Sequence, residues 1–170
     1  MQLWSDLDPA EFDGQLDAWV AKLPAMHDGA NHRINPETSF TPLRRPLNEA
    51  TVALVSTAGV HLDDQVPYDV STTAGDPTFR IIPDDVDYTR LNFTHTHYDT
   101  APAKEDFNTV FPLERLHEFV EEGRLGSTSS IHVGLMGFNP DPTKIADEAA
   151  PEVAKLLVEA GVDVAVLGPG

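Results

Sequence analysis

Thr51-Val-Ala-Leu-Val-Ser56 is a six-residue run with four consecutive apolar residues at its centre and no charge. It has the length of a strand, and it is apolar at odd and even positions alike. Both faces must therefore be covered, as they are for a central strand of a parallel sheet flanked by helices. Thr57-Ala-Gly-Val-His61 ends it.

The chain beyond Asn48 keeps to that plan. A long polar passage over 62–78 holds Pro67, Gly75 and Pro77. Short strand candidates follow at 79–82 and 91–94, on either side of Pro83-Asp84-Asp85, and 95–110 reads as a loop. From Pro112 the alternation becomes regular. A helix carries Leu113, Leu116, Phe119 and Val120 on one face and closes at Gly123. A strand over 130–136 follows, then a helix over 143–160 with Ile145, Val153, Leu156 and Leu157 inward. Pro151 either kinks that helix or marks a later start capped by Asp147. Gly161 is its C-cap, and 162–167 is the last strand. Upstream, Asp8 and Pro9 open a helix with Phe12, Leu16, Trp19, Val20 and Leu23 on one face, ended by Pro24. Residues 25–48 read as an extended strap or linker, with Gly29, Pro36, Pro42 and Pro46 breaking any period.

The expected fold is therefore α/β, with three layers and a mainly parallel sheet carrying helices on both faces. One domain is expected overall, with a helix and strap over 1–47 and the α/β body over 48–170. The chain ends on Gly168-Pro-Gly170 at the carboxyl end of a strand, where ligands bind and the next helix begins in open α/β sheets. The sheet is expected to be incomplete at that C-terminal edge, and an open edge favours association into an oligomer.

Composition removes several function classes. The formal charge is −17, from 28 acidic and 11 basic residues, and Arg44-Arg45 is the one adjacent basic pair, so nucleic acid and anionic membranes are not expected as partners. The acidic residues are spread along the chain, as on a solvated acidic surface or in a protein adapted to a salty cytoplasm. No apolar run approaches the ~20 residues of a membrane span, and no signal peptide is legible, so a cytoplasmic location is expected. The absence of cysteine excludes disulfides, thiolate metal sites and a Cys nucleophile within these 170 residues. No G-x-G-x-x-G, Walker or G-x-S-x-G pattern follows any strand candidate.

The densest concentration of chemical groups is Thr94-His95-Thr96-His97-Tyr98-Asp99, directly after a strand candidate. In an extended segment His95, His97 and Asp99 would point the same way. Such a trio can hold zinc or iron, with His61 as a further ligand. It can equally bind a substrate carboxylate or move protons, or the histidines can simply fix the loop while Asp99 caps a turn. Thr57 and Gly59, with the Ser56 hydroxyl, offer a second anion site at a strand end. Arg80 can pair with a carboxylate from the rim or lie on the surface. His132 reads as a core histidine or a ligand, and His27, His32 and His117 read as surface residues. Asp84-Asp85-Asp87 reads as a solvated turn.

Several segments, in order, resemble the selenoprotein B subunits of D-proline, glycine, sarcosine and betaine reductases. They are Thr41-Pro-Leu-Arg-Arg-Pro-Leu47 with Val52–Leu62, Gly75-Asp-Pro-Thr-Phe-Arg80, Thr94–Asp99, Asp106–Leu116, Val120–Gly126 and Ala150–Leu167. The resemblance implies reductive cleavage of a carbon–nitrogen bond in a small amino acid or betaine by a thiol/selenol redox centre. It implies other reductase subunits as partners, including one that bears a carbonyl group. It also implies a selenocysteine or cysteine immediately after Gly170, so that a UGA codon read as stop would end the product there. The alternative is a short non-catalytic or metal-binding paralogue that keeps the rim alone. On the reductase reading, His61, His95, His97 and Asp99 are the expected catalytic residues, with Thr57, Gly59, Arg80 and Tyr98 in substrate binding. No cofactor is expected within the chain itself, and no metal is favoured.

Overall fold

The computed structural model describes residues 41–168, so the helix expected over 8–24, His27, His32, most of the strap, and Pro169-Gly170 lie outside the described residues. Strand β1 (Thr51–Ser56) is buried from Val52 to Ser56 and sits at the centre of a mixed sheet. Six further strands are described: β2 (Val60–Leu62), β3 (Phe79–Pro83), β4 (Leu91–Phe93), β5 (Ser127–Thr128), β6 (Ile131–Leu135) and β7 (Val164–Gly168). One side of β1 pairs in parallel with β7, and the other pairs in parallel first with β5 and then with β6. The expected mixture of helices and a mainly parallel sheet is present. Two strands depart from it. β3 runs antiparallel against β6, and β4 leaves the sheet to pair with β2 in a separate antiparallel ribbon. Among the described residues β7 has no second neighbour, and Leu167 on it is 73% exposed.

Period-two alternation along β1 divides the core. Val52 and Leu54 pack with Leu113 and Leu116 of helix α2 (Leu113–Glu121) and with Val60, Leu62 and Phe93 of the ribbon. Ala53 and Val55 pack with Val133 and with Val153 and Leu157 of helix α3 (Ala150–Glu159). A short helix α1 (Ala101–Glu105) precedes α2. Pro151 lies in the first turn of α3, so the α-helix starts late, at Ala150, and Ala149 rather than Asp147 holds the cap position. A π turn over Ile145–Ala149 leads directly into α3, and the Ala150 N–H reaches back to the Ile145 carbonyl. The wider turn accommodates a ring that lacks an N–H and would crowd the carbonyl four residues back in an α-helix.

Two glycines allow the ribbon to sit down on the sheet. A Cβ on Gly134 would stand 2.1 Å from the Val60 carbonyl oxygen, and one on Gly59 would stand 2.1 Å from that of Thr94. Gly59 also has φ +74°, the left-handed region.

The gap between β5 and β6 leaves the Leu54 N–H without a main-chain acceptor on that side. The fully buried His132 fills it, its Nδ1 accepting from Leu54 N–H at 2.9 Å. The ring proton is then on Nε2, which donates to Asp84 Oδ1 at 2.9 Å. His117 Nε2 donates to the same oxygen, leaving Nδ1 to accept the Tyr88 hydroxyl, and Thr128 Oγ1 donates to Asp84 Oδ2. Asp84 and His117, read from sequence as a solvated turn and a surface residue, thus form one network with a core histidine. Burial opposes the charge on Asp84, but its donors from His132, His117 and Thr128 outweigh this and hold its pKa below the ordinary carboxylate value. Burial depresses the His132 pKa below 6.5 despite the opposing pull of Asp84.

His132→Leu keeps the volume but strands the Leu54 N–H, and urea denaturation of the full chain should show a loss of about 2–4 kcal/mol, against about 1 kcal/mol or less for half-exposed His117→Leu. Because the unfolded chain takes up the His132 proton first, stability should be whole above about pH 6.5 and fall as pH drops through the folded pKa. His132→Leu should flatten that slope, and equal slopes would disprove the assignment. Gly59→Ala combines a left-handed backbone with overlap at Thr94 and should lose about 2–5 kcal/mol, read as a lowered Tm.

Candidate functional site

The carboxyl ends of β1, β6 and β7 form a rim, and hydrogen bonds show how the chain assembles there. The Thr57 N–H donates to the Gly168 carbonyl at 2.9 Å, which closes the end of β1 against the end of β7. Gly59 N–H donates to Leu135 O, and Thr94 N–H donates to Gly59 O, so the end of β4 is stitched to the end of β6. The Tyr98 hydroxyl donates to Ala58 O at 2.8 Å. The segment after β4 therefore lies on the rim, as expected for a group following a strand.

The segment is not extended, however. His97 N–H turns back to donate to His95 Nδ1 at 3.0 Å. The His97 ring lies flat on Phe138, with centroids 3.6 Å apart and planes 9° apart, and its Nδ1 pairs with the Thr96 hydroxyl. Asp99 Oδ1 accepts the Ala101 N–H at the entry to α1. His95 is half-buried, with its ring 4.8 Å from that of Tyr98, whereas His97 and Asp99 are exposed. The expected common direction of His95, His97 and Asp99 fails because a turn, not a strand, carries them. Among the described residues no set of three or more His, Asp or Glu side chains is arranged to hold a metal ion. The expected alternative ligand set of His95, His97 and Asp99, with His61 as a further member, is not assembled in this structure.

His61 lies inside β2 and is buried. Its Nδ1 faces the Leu62 carbonyl at 2.8 Å and so carries the proton, which leaves Nε2 to accept the Thr94 hydroxyl at 2.9 Å. Both nitrogens are committed, and the residue anchors the start of the rim segment. Gly59 uses its N–H, its carbonyl and its missing Cβ within the chain. The Ser56 hydroxyl donates to Val110 O and accepts from Ala58 N–H. Arg80 lies over the Tyr68 ring at 4.5 Å and donates to Val66 O, Thr78 Oγ1 and Phe79 O, so it straps the 62–78 passage to β3. Geometry thus gathers Thr57, His95, His97 and Tyr98 on the rim, with Asp99 at its outer end. It sets His61, Gly59 and Arg80 to holding the frame.

Electrostatics mark His95. Its burial, and then the neighbouring His97, lower its pKa below 6.5. Since Nδ1 accepts an N–H, the proton of the neutral ring sits on Nε2, and that buried atom has no partner. Burial also raises the Tyr98 pKa, so its hydroxyl keeps its proton at neutral pH. Sequence reading missed Phe138, although an aromatic residue two positions past a strand end is a visible signal for a rim contact.

A sequence model of the glycine/sarcosine/betaine reductase selenoprotein B family matches residues 29–169. The D-proline reductase subunit gamma of Acetoanaerobium sticklandii is 35% identical over 137 residues, which is 81% of this chain and 55% of that protein. The chain thus spans about half the length of the curated relative it matches. No solved structure matches it, and no helix among the described residues is long and apolar enough to cross a membrane. On the family match and the collinear identity, the chain belongs to the glycine/sarcosine/betaine reductase selenoprotein B family.

Proposed function

We propose that the chain is the substrate-rim portion of one subunit of a reductase that cleaves a carbon–nitrogen bond in a small amino acid or betaine. Cleavage replaces the C–N bond by C–H and N–H, taking up two electrons and two protons. A thiol/selenol pair supplies both, becoming a sulfur–selenium or sulfur–sulfur bond. These 170 residues contain no cysteine, so both members of the pair are supplied from outside them, by a selenocysteine or cysteine following Gly170 together with a second cysteine thiol. In the sequence that position comes shortly after β7, whose Gly168 carbonyl accepts the Thr57 N–H. The partners are other reductase subunits, one of them bearing a carbonyl group, in a cytoplasmic complex.

One observation carries the reading beyond family membership. The bonds from Gly168 to Thr57 and from Ala58 to Tyr98, with the contact from Tyr98 to His95, bring polar groups to the strand ends where the redox residue would enter. There His95 orients a substrate carboxylate. Tyr98, held by Ala58, shapes the site wall, and exposed His97 and Asp99 stand at its solvent side.

The test is the product in its native host. Intact mass above 18.5 kDa with about one selenium or one added cysteine per chain is expected, together with dithiol-driven reduction of D-proline, glycine, sarcosine or betaine by the purified complex. An 18.5 kDa product lacking both residues, in a preparation that reduces none of the four, would overturn the proposal.

A further inference from the structure

Two buried side-chain atoms among the described residues have no hydrogen-bond partner, His95 Nε2 and Asn108 Oδ1. The second is a small anomaly. Both donors of the Asn108 amide are used, by Asp106 and Glu114, and an under-used carbonyl oxygen is the more commonly tolerated case. The first is different in kind. A buried N–H has one proton and one use for it, and leaving it unpaired forfeits a full hydrogen bond.

The tautomer that creates this orphan is imposed by the fold. The His97 N–H points at His95 Nδ1 from 3.0 Å, so Nδ1 must be the unprotonated nitrogen. His97 is held in turn by its stack on Phe138, which follows β6. On the other side Tyr98, tied to Ala58, packs against the His95 ring. Three rim elements thus converge on keeping one ring neutral, fixed and donating. Burial disfavours the imidazolium as well. A histidine intended as a proton acceptor would keep a lone pair free toward the ligand, but here the lone pair is the atom already spent.

We propose that His95 acts as a neutral Nε2–H donor to an oxyanion of the ligand, a carboxylate, and that His97 and Phe138 are positioning residues that hold it in that tautomer. This rests on the substrate-rim reading and gives it an atom. The group that meets His95 is an acceptor, and His95 is excluded as the general base. Any proton delivered to the breaking bond comes from elsewhere on the rim.

The experiment compares two isosteres in the full native complex. Asparagine places its oxygen where Nδ1 stood, so His95→Asn keeps the acceptor for His97 N–H but removes the Nε2–H donor. Glutamine places its amide nitrogen where Nε2 stood, so His95→Gln restores that donor. With the substrate that the wild-type complex reduces, His95→Asn should raise KM about ten- to a hundred-fold, the worth of one hydrogen bond to a charged group. His95→Gln should recover most of that loss. Phe138→Leu should raise KM less. In long-range 1H–15N spectra of ring-labelled protein it should turn the single Nε2–H pattern of His95 into a mixture of tautomers, which a loss of stability alone would not do. Equal KM values for wild type and His95→Asn would overturn the proposal, and so would a wild-type spectrum showing the Nδ1–H form. A shift of His95 Nε2–H on dilution alone, with none on adding D-proline or glycine, would mean that water is its only partner and would overturn it too. If the wild-type complex reduces nothing, the substrate-rim reading fails separately, and the tautomer spectrum still decides the claim about His95.

Discussion

Strand β1 must satisfy a full ladder on both sides while buried on both faces, and the rest of the fold can be understood as the means of doing so. On the β7 side the ladder is regular over five residues. On the other side it is not, because β5 and β6 are two short pieces with Ser129 and Ser130 between them. A missing acceptor at the fully buried Leu54 would cost about as much as a lost hydrogen bond in an apolar site. His132 supplies that acceptor from its side chain. A buried imidazole that accepts on one nitrogen must donate on the other, and this requires Asp84, whose remaining capacity draws in His117 and Thr128. The polar network is therefore the consequence of one break in a strand.

The same need governs the opposite end. The ribbon of β2 and β4 can cover the α2 face only if its main chain approaches the sheet more closely than side chains allow, and Gly134 and Gly59 provide the space. Gly59 then becomes the node through which Leu135 is linked to Thr94. The rim segment inherits its position from that node and from His61, which accepts the Thr94 hydroxyl. Residues with no free polar atom of their own thus decide where His95 stands.

The sequence made part of this legible. A continuous apolar run identified β1, and helical spacing identified α2 and α3, because burial writes itself into period and composition. The placement of Thr94–Asp99 on a rim was legible for the same reason, since it follows a strand. Pairing partners were not. Nothing in Phe79–Pro83 tells an antiparallel edge from a parallel one, and Leu91–Phe93 gives no sign that it leaves the sheet. Asp84 looked like a turn residue because its meaning depends on standing near His132, 48 positions away, through a register that no local pattern encodes. The common direction assigned to His95, His97 and Asp99 failed for a related reason. It assumed β geometry to continue past Phe93, whereas a His97 N–H that finds its acceptor two residues back has already turned the chain.

Histidine identity alone would not have separated structure from function in this protein, but hydrogen-bond accounting does. His61, His117 and His132 each use both ring nitrogens within the chain. His97 spends its Nδ1 on Thr96 and its ring face on Phe138. His95 alone among the described histidines has a buried nitrogen with no partner. The three fully satisfied rings can be explained by folding, because each removes an unpaired group that the fold would otherwise leave. The unpaired nitrogen cannot be explained that way, since folding creates it. A chain that binds so many of its polar groups internally yet buries this one on the rim without a partner gives the proposed ligand contact its physical ground.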